Sequence, residues 1–169
     1  MRGIYMVAIF LIGLCGVYGE EIERTFAFSF VGGYTSHLVG YGFDMGEGWQ
    51  VVVFPLQIWT GSLQTEYAFH ETWSVMVKVG GRVFERDFIV SEEVLFRWYG
   101  NGPVLEGISV GGGFLSMQTS RLFMIYPQLG AAYKWVWNGF YVEPGVSLYT
   151  GYYMGYLGMN ISLGVGYVF

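Results

Sequence analysis

Charge is scarce in this chain. Asp, Glu, Lys and Arg make up 12% of its 169 residues, against about 25% in an average globular chain. Cysteine is nearly absent: Cys15 stands alone, which rules out a disulfide framework within the chain. Two scattered histidines, His37 and His70, cannot compose a usual zinc site. No metal or other cofactor is expected, and no catalytic residue is assigned. Acidic residues outnumber basic ones, 13 to 8, which argues against the basic patch of a nucleic-acid binder. Past the N-terminal segment there is also no continuous apolar run of about 18 residues, so a membrane helix is excluded there.

What is present is apolar and aromatic: 53% hydrophobic residues, 20% aromatic ones, and 27 glycines that suit helix interiors poorly. High hydrophobicity without a long apolar run is the pattern of a spanning barrel, whose strands alternate apolar with small or polar residues. The N-terminus reads as a secretory signal over residues 1–19. Arg2 supplies the positive charge, Ile4 to Leu14 the apolar stretch, and Val17-Tyr18-Gly19 a cleavage site ahead of Glu20 and Glu21. Leu14 before Cys15 is not the small residue that a lipidation site would carry. Residues 20–169 then form one domain.

The last segment alternates most clearly. Leu157, Met159, Ile161, Leu163, Val165, Tyr167 and Phe169 share one face, while Gly158, Asn160, Ser162, Gly164 and Gly166 share the other. Asn138-Gly139 is a favoured two-residue hairpin turn. It pairs Trp137 with Phe140, Trp135 with Val142, Lys134 with Glu143 and Tyr133 with Pro144. Pro127 and Pro144 fall on the apolar face, where each forgoes a ladder donor and predicts a local distortion.

Turn signals at Gly32-Gly33, Gly46-Glu47-Gly48, Thr60-Gly61, Gly80-Gly81, Gly100-Asn101-Gly102-Pro103 and Asn138-Gly139 divide the rest. The strands expected between them are 24–34, 36–45, 49–59, 62–70, 72–82, 92–99, 104–117, 121–137, 139–150 and 155–169. The fold expected is therefore all-β, a closed antiparallel up-and-down transmembrane β-barrel of ten strands. Eight is the alternative if residues 24–45 are not two true strands. Trp98 and Tyr99, Trp135, Trp137 and Phe140, and Tyr149, Tyr152, Tyr153 and Tyr156 gather at strand ends, as an interfacial girdle would.

Four stretches together resemble an uncharacterised domain family of small bacterial outer-membrane β-barrel proteins. They are Leu63-Gln64-Thr65-Glu66-Tyr67-Ala68, Phe96-Arg97-Trp98-Tyr99, Leu105-Glu106-Gly107-Ile108-Ser109-Val110-Gly111-Gly112-Gly113, and Leu129-Gly130-Ala131-Ala132-Tyr133-Lys134-Trp135 with Phe140-Tyr141-Val142-Glu143-Pro144-Gly145. The resemblance spans about residues 49–169. It implies a barrel in the cell outer membrane and no particular activity. A final strand ending in Phe169, with Tyr167 two positions earlier, also resembles the signal read by the barrel-insertion machinery.

Alternation places Lys134 and Glu143 inside. Extended to the other strands, it adds Glu66, Lys78 and Arg97, with Glu93 a further candidate. Isolated charges in a narrow lumen are costly and should pair, and a barrel of this size has an interior just wide enough for side chains. The expectation is a structural, adhesive or envelope-integrity protein with a plugged, charge-lined lumen. It would be a monomer, with membrane lipid and the insertion machinery as its partners and no nucleic acid. The alternatives are a lipid-modifying hydrolase using His70 or His37, a narrow channel, and a soluble periplasmic ligand-binding barrel. His70-Glu71 falls in an expected turn, where polar residues are the default. Gly111-Gly112-Gly113 lies within a strand pattern, so it marks a bulge or a close backbone approach rather than a phosphate loop.

Overall fold

A computed structural model describes residues 26–42, 50–52, 58–84, 87–100, 104–118, 123–151 and 156–169. The expected signal segment 1–19, the Gly46-Glu47-Gly48 turn, and Tyr152 and Tyr153 lie outside the described residues, as do the side chains of Ser36, His37 and Tyr156. The described strands are β1 (Phe26–Gly42), β2 (Gln50–Val52), β3 (Ile58–His70), β4 (Trp73–Phe84), β5 (Asp87–Tyr99), β6 (Gly107–Gln118), β7 (Phe123–Trp137), β8 (Phe140–Gly151) and β9 (Tyr156–Val168). From β3 onward each strand pairs antiparallel with the next, and β1 closes the sheet by pairing with both β3 and β9. The short β2 meets β1 at Gly40–Gly42, end to end with β3 on the same side. The barrel is therefore eight strands round.

The count of ten is corrected to eight for two reasons. Segments 24–34 and 36–45 are one strand, because the ladder to β9 runs on through Thr35 and Ser36 and only shifts register between His37 and Val39. Segments 49–59 and 62–70 do not form a hairpin at Thr60-Gly61. Gly61 is extended and pairs with Gly32 on one side and Gly81 on the other. Three Gly-bearing sites read as turns thus lie side by side within the wall.

The ladder also fixes the tilt. One row of ladder partners runs from Ala27 through Glu66, Met76, Leu95, Gly113, Gln128, Tyr149 and Gly158, and it returns to β1 at His37, ten residues beyond its start. A stagger of that size inclines the strands by about 40° to the barrel axis. Both ends of the described sheet meet at one rim, where the Phe169 amide donates to the Phe26 carbonyl oxygen at 2.7 Å.

Alternation assigns the faces. Leu163, Val165 and Tyr167 point outward and are exposed. So are Leu129, Ile125 and Phe123 on β7, and Phe96 and Trp98 on β5. Between them Gln128, Lys134, Arg97 and Glu143 are buried. The soluble ligand-binding reading required the large apolar faces to turn inward, and this direction overturns it. Two glycines of Gly111-Gly112-Gly113 allow close approach without a register shift: a Cβ on Gly113 would lie 1.9 Å from the Val94 carbonyl oxygen, and one on Gly111 would lie 2.6 Å from that of Phe96.

The prolines leave their mark at one seam. Pairing between β7 and β8 covers 128–132 with 145–149 and 135–137 with 140–142. It lapses at Tyr133 and Lys134 opposite Glu143 and Pro144, and it stops at Pro127 although both strands continue. The register is the same on both sides of the lapse, so the prolines remove rungs without inserting a residue.

Asn138 and Gly139 close the β7–β8 hairpin with φ of 50° and 83°, the left-handed pair that a type I′ turn requires. A Cβ on Gly139 would also lie 2.6 Å from the Tyr167 ring. Gly139→Ala is expected to cost about 1–2 kcal/mol. The measurement is the urea midpoint of the detergent-folded barrel, followed by tryptophan fluorescence.

Candidate functional site

Among the described residues the lumen holds two ionic groups between two apolar clusters. At the rim where Phe26 meets Phe169, Ala27, Ala68, Tyr99, Val104, Leu105, Tyr141 and Val168 pack together. Leu105 enters this cluster from the β5–β6 connection and is fully buried, with a left-handed φ of 66°. Such a backbone is uncommon for a residue other than glycine, and packing has to hold it there. Towards the opposite rim, Leu115, Met117, Tyr126 and Tyr149 form a second cluster, with Ile89 and Met124 against it.

The larger ionic group sits next to the first cluster. Glu66 on β3, Arg97 on β5, Lys134 on β7 and Glu143 on β8 converge there. Arg97 Nη1 lies 3.2 Å from Glu66 Oε2 and 2.9 Å from Glu143 Oε1. Lys134 Nζ lies 3.1 Å from Glu143 Oε2 and makes a short contact with Glu66 Oε2. Two carboxylates thus face two cations, each touching both of the opposite sign. Neutral groups take up remaining acceptor capacity: Ser74 Oγ and Tyr99 Oη donate to Glu66 Oε1 at 2.5 and 2.7 Å, and Gln64 Nε2 donates to Glu143 Oε1 at 3.1 Å. The Lys134 ammonium also sits over the Tyr141 ring, 4.8 Å from its centroid, a favourable cation–π placement.

Lys78 is not part of this group. Its ammonium lies 2.6 Å from Glu93 Oε2, and Gln128 Nε2 donates to Glu93 Oε1 at 2.7 Å. Together the two groups carry three cations and three carboxylates. Full neutralisation is the condition under which burial of so much charge is tolerable.

Sequence reasoning missed the roles of Gln64, Ser74, Tyr99, Gln128 and Tyr141. It placed Tyr99 and Tyr149 in the outer girdle, whereas both point inward and are buried. The signal was available: Tyr99 has the parity of Arg97, and Tyr149 that of Ser147 and Glu143. Trp98, Trp135, Trp137 and Phe140 are exposed on the outer wall. Tyr34 and Trp59 stack edge-on at 5.5 Å towards the opposite rim.

The remaining candidates lie apart from the lumen. His70 is exposed at the end of β3, with Nδ1 3.3 Å from Thr72 Oγ1. The nearby Ser74 hydroxyl faces the lumen and donates to Glu66, so the histidine and this serine sit on opposite sides of the wall's end and form no triad. Tyr167 stacks edge-on with Phe140 and Phe169, at centroid distances of 5.1 and 5.0 Å. Phe169 in turn lies 6.2 Å from the Phe26 ring. Among the described residues no three His, Cys, Asp or Glu side chains gather as a metal-binding set.

No family model matches the chain, and no curated protein matches its sequence. Solved structures do match its fold. The N-terminal β-barrel domain of Pseudomonas aeruginosa OprF aligns with 83% of this chain and 97% of that one, at 12% identity and a TM-score of 0.50. Neisserial surface protein A aligns with 85% of this chain and 97% of that one, at 10% identity and a TM-score of 0.52. At these identities the likeness is one of fold: a small closed antiparallel barrel of eight strands.

The ionic group supplies a test of its own. Lys134→Met leaves Glu66 and Glu143 sharing Arg97 alone, and a broken buried pair of this kind costs about 3–5 kcal/mol. Adding Glu143→Gln to Lys134→Met should cost less than the two single losses summed. The double-mutant cycle is read from urea unfolding in detergent.

Proposed function

We propose that this chain is a small outer-membrane β-barrel protein with a structural, adhesive or envelope-integrity role, its lumen plugged by paired charges and by an apolar cluster towards each end. The observation that carries the reading is the inversion of polarity across the wall. Leu129 and Trp135 are 69% and 72% exposed outside, while Lys134, between them in sequence and of the opposite parity, is 1% exposed inside. A soluble barrel hides its apolar face and wets its polar one. A barrel in lipid does the reverse, and an apolar exterior of this extent has no place in water. Among the described residues the eight full-length strands close on one another, as hydrocarbon demands of a sheet.

Other features support the same reading. Tryptophans and tyrosines stand towards both rims, the positions interfacial rings occupy. Tyr167 near the end of β9 and Phe169 just beyond it stand on the same outer wall as Phe140 and would be read by the insertion machinery. One of the proteins sharing the fold is by name a surface protein. The partners would be membrane lipid and, during biogenesis, the insertion machinery, with the mature barrel a monomer. The four-cornered ionic group serves as filling, since each of its carboxylates is committed to two cations and to neutral donors.

The test is reconstitution into vesicles whose acyl chains carry bromine. Trp135 and Trp137 are exposed on the wall, so tryptophan fluorescence should be quenched, and the unheated protein should migrate differently on a gel from the boiled one. The plug predicts no steady conductance in planar bilayers. Full solubility without detergent after export would overturn the membrane reading, and a stable conducting state would overturn the plug.

A further inference from the structure

The wall is not equally closed all round. The β1–β9 ladder, which joins the first and last described strands, pairs continuously from Ala27 to His37 and resumes after one shift through Gly40. The β7–β8 ladder is the shortest between full-length strands, although its hairpin turn is only two residues long. Its rungs are missing at Pro144 and beyond Pro127, on either side of five paired positions. Behind those five positions the lumen is lined by Gly130, Ala132 and Gly145, which leave a cavity of about 20 Å³. Ala131 and Val146 also border it. Both belong to the outer face, so the cavity reaches the wall itself. Lys78, Glu93 and Arg97 line its inner side, and a polar space of this size holds about one water.

We propose that the β7–β8 seam is the place where the barrel wall parts sideways, and that the Lys134–Glu143 ion pair is its latch. Apolar clusters pack both ends of the lumen, so the seam is the thinnest barrier around the ionic group. Lys134 and Glu143 face each other across the missing rungs and meet at 3.1 Å. A side-chain bond therefore spans the step where the backbone makes none. Parting the seam breaks the Lys134–Glu143 pair directly and fewer rungs than parting any other ladder between full-length strands, whereas parting β1 from β9 requires breaking a nearly continuous ladder. The space behind it sets what an opening admits: water, or a polar molecule no larger.

The proposal goes beyond the membrane reading and is tested in detergent micelles, where a protein that failed to enter vesicles would still report. Amide exchange is followed residue by residue on the full chain. Amides of 128–134 and 143–149 that face the seam should exchange at least about tenfold faster than those of the β1–β9 ladder, as expected of a locally opening unit. Pro144→Val restores a donor without removing any buried group and should bring the seam towards the rate of its neighbours. Lys134→Met should speed exchange at the seam more than at β1–β9. Seam amides that exchange as slowly as β1–β9 in the unaltered protein would overturn the proposal. So would fast exchange that Pro144→Val does not slow.

Discussion

The ten-residue stagger at which β1 meets β9 is the constraint on which the rest of the structure depends. Closing a sheet satisfies its edges only if every rung finds its partner after one full turn. With eight strands and this stagger the wall must tilt, and the lumen must be narrow. Tilt and width together decide which side chains meet. Glu66, Arg97, Lys134 and Glu143 lie on four strands, three of them separated by an intervening one, and they are far apart in sequence. They converge because the stagger brings their inward positions to one level. A barrel with a larger interior would leave the same four charges to water.

Given that width, the interior has a volume problem and a charge problem, and the sequence solves them with the same positions. Large groups such as Arg97 need room, which comes from glycine on the strand alongside: a Cβ on Gly111 would lie 3.1 Å from Arg97 Cγ. Glu66 and Glu143 are then each met by two cations and by a neutral donor, so their desolvation is offset within the group. The arrangement is interdependent. Removing one cation leaves two carboxylates short, and this is why the cost of a single replacement exceeds the value of any one pair.

Legibility in the sequence followed the strength of local constraints. The final strand and the β7–β8 hairpin could be read to the residue, because strict alternation and a two-residue turn leave no freedom of register. The pairings of Trp137 with Phe140 and Trp135 with Val142 are those the turn dictates. The strand count was harder because Gly-Gly has two meanings. In a soluble chain it marks a turn. In a narrow barrel it also marks places where strands or inward side chains approach closely, and Gly32, Gly61 and Gly81 pair across three strands in mid-wall. The tyrosines failed for another reason. Proximity to a strand end suggested the girdle, but parity with a neighbouring lumen residue governs direction, and parity sent Tyr99 and Tyr149 inside.

The two prolines show how backbone and side chain divide the work of closure. A proline in a wall strand normally weakens the wall, since one donor is lost for good. Pro144 pairs normally with Leu163 on β9, so its loss falls wholly on the β7 side. That is the side on which Lys134 and Glu143 stand opposite each other, one residue from the unpaired position. Had the proline stood anywhere else along β8, the missing rung and the ion pair would have been unrelated defects and supports. Their coincidence makes the ionic group part of the wall as well as the filling of the lumen. The same charges that close the interior against solvent also hold together a seam that the backbone leaves incomplete.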